Sequence, residues 1–121
     1  MSVGNQTVGA RLRIVLEPEI ALGPGKADLL EGIEEKGSIA AAGRSLGMSY
    51  KRAWGLVEIM NGYFRTPLVA TTKGGRSHGG AELTPLGRKV LALYRQMEAQ
   101  AGDAVKRELK ALQKLRAGPP D

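Results

Sequence analysis

The sequence predicts a mainly α domain with a small β hairpin, and three observations predict it. Apolar residues recur at three-to-four spacing in separate runs, as in helices with one buried face. Two β-prone runs, 68–72 and 81–83, bracket a glycine-rich loop. The last apolar stripe continues for about 27 residues, further than a small core can cover.

The elements follow in order. In residues 11–17, Leu12, Ile14 and Leu16 alternate with mostly polar neighbours, as in a half-buried strand. Gly23, Pro24 and Gly25 are punctuation. Ala27, Leu30 and Ile33 share one side of a first helix, with Asp28, Glu31, Glu34 and Glu35 largely elsewhere, and Gly37 stops it. Ser38 caps a second helix from Ile39 to about Leu46, with Ile39, Ala42 and Leu46 on its inner face. The small residues Ala40, Ala41 and Gly43 permit close packing, and Gly47 supplies a tight turn. Ser49 caps a third helix. It runs to about Asn61, with Ala53, Val57 and Met60 inward, Leu56 beside them, and Asn61-Gly62 as its stop.

The hairpin follows, its strands separated by Lys73-Gly74-Gly75-Arg76-Ser77-His78-Gly79-Gly80. Thr84 caps the final helix and Pro85 takes its first position. Leu86, Val90, Leu93, Met97, Ala101, Val105, Leu109 and Leu112 then continue one stripe, roughly 40 Å long at about 1.5 Å per residue. The far half of such a helix needs a partner. Val90, Leu93, Met97, Val105, Leu109 and Leu112 are therefore the expected dimer interface. The tail, 117–121, is expected to be disordered. The chain reads as one domain, 1–121: a strand at about 11–17, a helix-turn-helix at about 38–62, a wing at about 68–84 and a dimer helix at about 85–115.

Composition fits this reading. Hydrophobic residues make up 42% and charged residues 25%, as in a folded domain. With one Trp, three Tyr and one Phe, the core must be mostly aliphatic. Without cysteine, disulfides and thiolate metal sites are excluded. The first residues lack the basic start and apolar run of a signal peptide, and no apolar run approaches the roughly 18 residues of a membrane span. A cytoplasmic protein with no membrane partner is expected. The formal net charge is +6, and its placement is uneven. Residues 44–95 hold nine Lys/Arg against two Asp/Glu, while residues 1–43 hold four against six. A basic stretch inside a folded region favours a polyanion docking on a shaped surface.

Two short helices meeting at a glycine turn, the second opening with Ser-Tyr-Lys-Arg, form a helix-turn-helix. The start of its second helix reaches deepest into a major groove about 12 Å wide. Ser49, Tyr50, Lys51 and Arg52 are thus placed to touch base edges or phosphates, and Arg44 and Ser45, late in the preceding helix, to hold a phosphate. Arg65 is a further candidate for a phosphate. Lys73, Arg76 and His78 sit among glycines that let backbone approach a phosphate or a narrow minor groove. Strand, three helices, hairpin and long helix is the order of a winged helix-turn-helix dimer binding double-stranded DNA.

Gly37-Ser38-Ile39, Gly47-Met48-Ser49-Tyr50-Lys51-Arg52-Ala53-Trp54, Met60-Asn61 and the stretch from Thr72 through the glycine-rich loop to Thr84 resemble the DNA-binding domain of the ModE molybdate-responsive regulators. More distantly the pattern is similar to the LysR-type head. The likeness covers roughly residues 10–115. It implies a cytoplasmic homodimeric transcription factor joined partly by the long helix, with a recognition helix at 49–61. Full-length members continue into domains that bind molybdate or tungstate, and this chain stops. No ligand residue of those domains is carried over, and molybdate or tungstate enters only by family association.

Other residues take plainer readings. Trp54 is expected to pack between helix and wing. His78, the only histidine, can assemble neither a metal cluster nor a triad. Gly23-Pro24-Gly25-Lys26-Ala27 lacks the spacing and hydroxyl of a phosphate loop, and Glu34-Glu35 faces solvent. No catalytic reading survives, and no cofactor is evident. Three functions stay open: a dimeric regulator of an inverted-repeat operator, a non-specific architectural DNA binder, and an oxyanion-binding or interaction module of molybdenum homeostasis. The last could pair with a second regulator or an oxyanion sensor protein.

Overall fold

The computed structural model describes residues 9–18, 20–72 and 79–118, with Ile20 and Ala21 described by their backbone alone. The sequence-based expectations for Lys73, Arg76, His78 and residues 119–121 lie outside the described residues.

The chain opens with an antiparallel pair, β1 (Ile14–Leu16) and β2 (Ile20–Leu22), in which Ile14 stands opposite Leu22. The alternation in 11–17 points to the first strand, which is shorter than expected. The second follows a turn at Glu17-Pro18 and is absent from the sequence reading. Helix α1 (Pro24–Lys36) starts inside the expected punctuation, because proline suits the first helical turn, where its missing N–H costs nothing. It ends at Gly37, whose N–H donates to Ile33 O at 2.9 Å.

Helix α2 (Ile39–Ser45) is capped by Ser38, whose oxygen accepts from Ala41 N at 3.0 Å. Gly47 has φ 74°, a left-handed conformation that other residues rarely adopt, and this turn sends the chain into α3 (Tyr50–Tyr63). Close approach of α2 and α3 depends on Gly43: a Cβ there would lie 2.9 Å from Ala53 Cβ. The second antiparallel pair, β3 (Val69–Thr72) and β4 (Gly80–Leu83), forms a hairpin with Val69 opposite Leu83.

A single apolar core joins these parts. Leu29, Leu30, Ile33, Val57, Met60, Leu68, Leu83 and Tyr94 are fully enclosed. Each such aliphatic side chain contributes about 1.5–3 kcal/mol by leaving water. The inner faces expected for the first three helices all point into this core: Ala27, Leu30 and Ile33, then Ile39 and Ala42, then Ala53, Val57 and Met60.

The long terminal helix is divided. Helix α4 (Pro85–Ala104) gives way at Val105 (φ −106°) to α5 (Lys106–Leu115). Ala101-Gly102-Asp103 supplies the cause, since glycine and aspartate are weak helix formers. Hydrogen bonds still bridge the joint, from Val105 N to Ala101 O at 3.0 Å and from Leu109 N to Val105 O at 2.9 Å. The first half of α4 is embedded, with Gly87, Val90 and Tyr94 buried, whereas α5 has no buried residue. Val90 is therefore corrected: at 9% exposure it belongs to the protomer's own core, because it lies on the turn of α4 that packs inward. The exposed stripe starts one turn later, at Leu93. Among the described residues, no helix is long and apolar enough to cross a membrane.

Candidate nucleic-acid interface

Four of the expected contact residues come together at the start of α3. Ser49 is its cap: the hydroxyl oxygen accepts from Arg52 N at 3.1 Å, leaving the hydroxyl proton to donate outward. Tyr50, Lys51 and Arg52 form the first turn, all exposed. Tyr50 is 58% exposed and its ring stacks on Trp54, with centroids 6.2 Å apart and planes 21° apart. Trp54 is half-buried against the core and lines a cleft of about 210 Å³ between α3 and the hairpin, together with Ser38, Thr71, Thr72 and Gly80. Trp54 thus packs between helix and hairpin while carrying the exposed Tyr50 ring.

The start of α3 and the end of α2 carry cations that no carboxylate among the described residues neutralises. Arg44, Lys51 and Arg52 are exposed, and none makes an ion pair with a described residue. Arg88 and Arg95 of the same basic stretch differ. Arg88 pairs with Glu34 at 3.1 Å. Arg95 binds Asp28 at 2.8 Å, Glu31 at 2.5 Å and Glu98 at 2.9 Å. Desolvation works against the Arg95 charge, but its bonds to those three carboxylates outweigh it and raise the pKa.

Ser45 stands apart from the cluster. Its hydroxyl donates to Ala42 O at 2.8 Å, and it borders a cleft of mixed charge, lined by Asp28, Glu31, Glu35 and Glu98 together with Arg11, Lys36 and Arg95. One residue along a helix turns a side chain by about 100°, so Arg44 and Ser45 face different ways. Arg65 is exposed in the loop between α3 and β3.

Sequence pattern makes Asn61 a helix stop, but α3 continues to Tyr63 and the Asn61 carboxamide reaches β3. Its Oδ1 accepts from Leu68 N at 2.8 Å and Val69 N at 3.1 Å, and its Nδ2 donates to Val69 O at 3.1 Å. The available signal was an asparagine inside a helix, where its side chain gains little unless it bonds elsewhere.

Two helices meeting at a glycine turn, a hairpin packed beside the second, and a long helix after it define a winged helix-turn-helix domain. The crystal structure of the CbnR_DBD–DNA complex shares the architecture: TM-score 0.56 and 25% identity, covering 73% of this chain and 95% of that one. Within this class the chain is similar in sequence to proteins named ModE and MopB. It is 37% identical over 109 residues to the molybdenum transport protein ModE of Azotobacter vinelandii, covering 90% of this chain and 40% of that protein. It is 45% identical over 87 residues to the molybdenum-pterin-binding protein MopB of Rhodobacter capsulatus, covering 71% and 32%. It is 35% identical over 83 residues to the DNA-binding transcriptional dual regulator ModE of Escherichia coli K12, covering 69% and 32%. The chain thus spans about a third to two-fifths of the length of these relatives. No family model matches it.

Proposed function

We propose that this chain is the DNA-reading part of a cytoplasmic, molybdenum-linked transcription regulator and binds an inverted-repeat operator as a homodimer. The observation that carries the reading is the unpaired positive charge of Arg44, Lys51 and Arg52 around the start of a helix docked in a helix-turn-helix. Such a helix end fits a major groove, where arginine and lysine donate to guanine O6 and N7. Tyr50 presents its ring edge and hydroxyl beside them. Lys73, Arg76 and His78 are assigned to the flanking backbone or minor groove on the strength of their position between β3 and β4.

Homodimerisation is supported by the apolar residues left in water along α4 and α5: Leu93 at 50%, Leu112 at 65% and Leu115 at 79% exposure. Helix α5 has no buried residue, so nothing within the protomer covers its apolar side. Pairing with a second copy would cover this stripe and set two recognition helices about 34 Å apart. The link to molybdenum rests on what the relatives are called, and molybdate or tungstate binding is not assigned to any residue of this chain.

Selection from a pool of random duplexes tests the proposal. An enriched inverted repeat, bound by a species of dimeric mass in light scattering, is the expected result. Retention of all sequences alike, with a steep salt dependence, would support the architectural reading instead.

A further inference from the structure

We propose that Asn61 is a positioning residue of the DNA interface: its carboxamide sets the angle at which the β3–β4 hairpin stands against the recognition helix. The inference deepens the functional reading above and rests on it. Among the described residues, Asn61 makes every hydrogen bond between α3 and the hairpin, Val69 N to Oδ1 and Nδ2 to Val69 O, and its Oδ1 also accepts from Leu68 N just before β3. Because both ends of a planar amide are engaged on two successive residues, the start of β3 can neither slide nor rotate without breaking a bond.

The point that Asn61 grips is itself immobilised from the other side. Leu68 is fully enclosed, its carbonyl accepts from Thr84 N at 2.9 Å, and the Thr84 hydroxyl donates to the preceding carbonyl, Pro67 O, at 2.8 Å. Gly87 lies against the Leu68 carbonyl, so closely that a Cβ there would come within 2.1 Å of it. The Leu68 backbone is thus held by α3 through Asn61 and by the start of α4 through Thr84 and Gly87. The hairpin is also held by the bond from Ala81 N to Gly37 O at 2.8 Å and by the buried Val69, Ala81 and Leu83, which seat it on α1 and the core; among the described residues only Asn61 ties it to α3 by hydrogen bonds.

That angle matters because a helix in the groove and a hairpin on the flank must fit one duplex together. A four-residue strand is about 13 Å long, so a turn of about 10° at its base moves its tip by about 2 Å. Hydrogen bonds do not survive such a displacement. Loss of the Asn61 tie therefore removes the hairpin's contribution to binding and spares that of α3.

The test uses the full chain with Asn61→Ala and Asn61→Asp. Hairpin orientation is read from backbone residual dipolar couplings, and the tie from amide exchange. Binding is read on the selected operator with its flanks intact and with them trimmed. In Asn61→Ala, exchange at Leu68 and Val69 is expected to rise about tenfold, and the hairpin couplings to depart from those of α3. The affinity gained from the flanks should fall about fivefold or more, while the trimmed operator binds within about twofold of wild type. Asn61→Asp keeps both accepted bonds and loses the donated one, so it should lie between wild type and Ala in both readouts.

Unchanged couplings and unchanged flank gain in Asn61→Ala would overturn the proposal. So would equal losses on both duplexes that track the melting temperature, or a wild-type protein that gains nothing from the flanks. If Asn61→Ala fails to fold, Asn61→Asp alone decides, and wild-type values in both readouts overturn the proposal. A wild-type chain that binds no duplex would overturn the functional reading instead, and the dipolar couplings would still decide whether Asn61 sets the angle.

Discussion

Two faces of this molecule carry cations from one basic stretch and use them differently. On the seam between α1 and α4, Arg95 is bound by three carboxylates and Arg88 by Glu34. On the α2–α3 face, Arg44, Lys51 and Arg52 are exposed and make no ion pair with a described residue. The lesson is that a charge count along a sequence mixes two roles. Cations held by carboxylates join helices, and their field is largely cancelled within the fold. Cations without carboxylates project a field that only an outside anion can satisfy.

The largest effect is expected at the start of α4, which seats the helix that carries the seam. Gly87→Ala would drive a methyl group into the Leu68 carbonyl, and a destabilisation of about 3 kcal/mol or more is expected in urea unfolding. Native-like stability would mean that the start of α4 is less tightly seated than described.

Next come the two classes of arginine. Arg52→Ala should weaken binding to a selected operator by about 1–3 kcal/mol in a gel-shift titration. Its stability should stay within about 0.5 kcal/mol of wild type. Arg95→Ala should do the reverse, losing about 1–2 kcal/mol of stability with little change in affinity. If the two variants behaved alike, the division between seam and reading face would fail.

The smallest effect sharpens the seam. Tyr94 donates to Leu12 O at 2.7 Å, and burial, reinforced by the neighbouring Glu98, pushes its hydroxyl from 10.0 up to about 12. The folded state thus favours the neutral phenol. That stabilisation is complete below pH 10 and disappears as the pH climbs towards 12. Tyr94→Phe should cost about 1 kcal/mol at neutral pH. The gap should close in urea unfolding above pH 10, and a gap that stayed constant would remove the phenol from the pH dependence.

Much of the fold was legible because its signals are local. Ser38, Ser49 and Thr84 announce three helix starts, Pro85 reinforces the last, and the three-to-four spacing of Ala53, Val57 and Met60 fixes an inward face. The cluster at 49–52 was legible for the same reason, being one helix start. What escaped depends on tertiary geometry. Ile20–Leu22 pairs with the first strand across a turn that gives no strong hairpin signature. The pairing of Arg95 with Asp28 spans 67 positions, and nothing near either residue announces it. Val90 looks like its stripe-mates, and only the packing of α4 shows that its turn faces inward. Asn61 resembled a helix stop because its partners, Leu68 and Val69, lie in the next element.

The division between a seam and a reading face is tested most directly by mapping backbone amide shifts while a selected duplex is added to the labelled chain. The account predicts the largest changes at Arg44, at residues 49–52 and along the exposed Thr71 and Thr72, with the amides around Asp28, Glu31 and Arg95 nearly still. Changes centred on the α1–α4 seam, with the start of α3 unmoved, would contradict it.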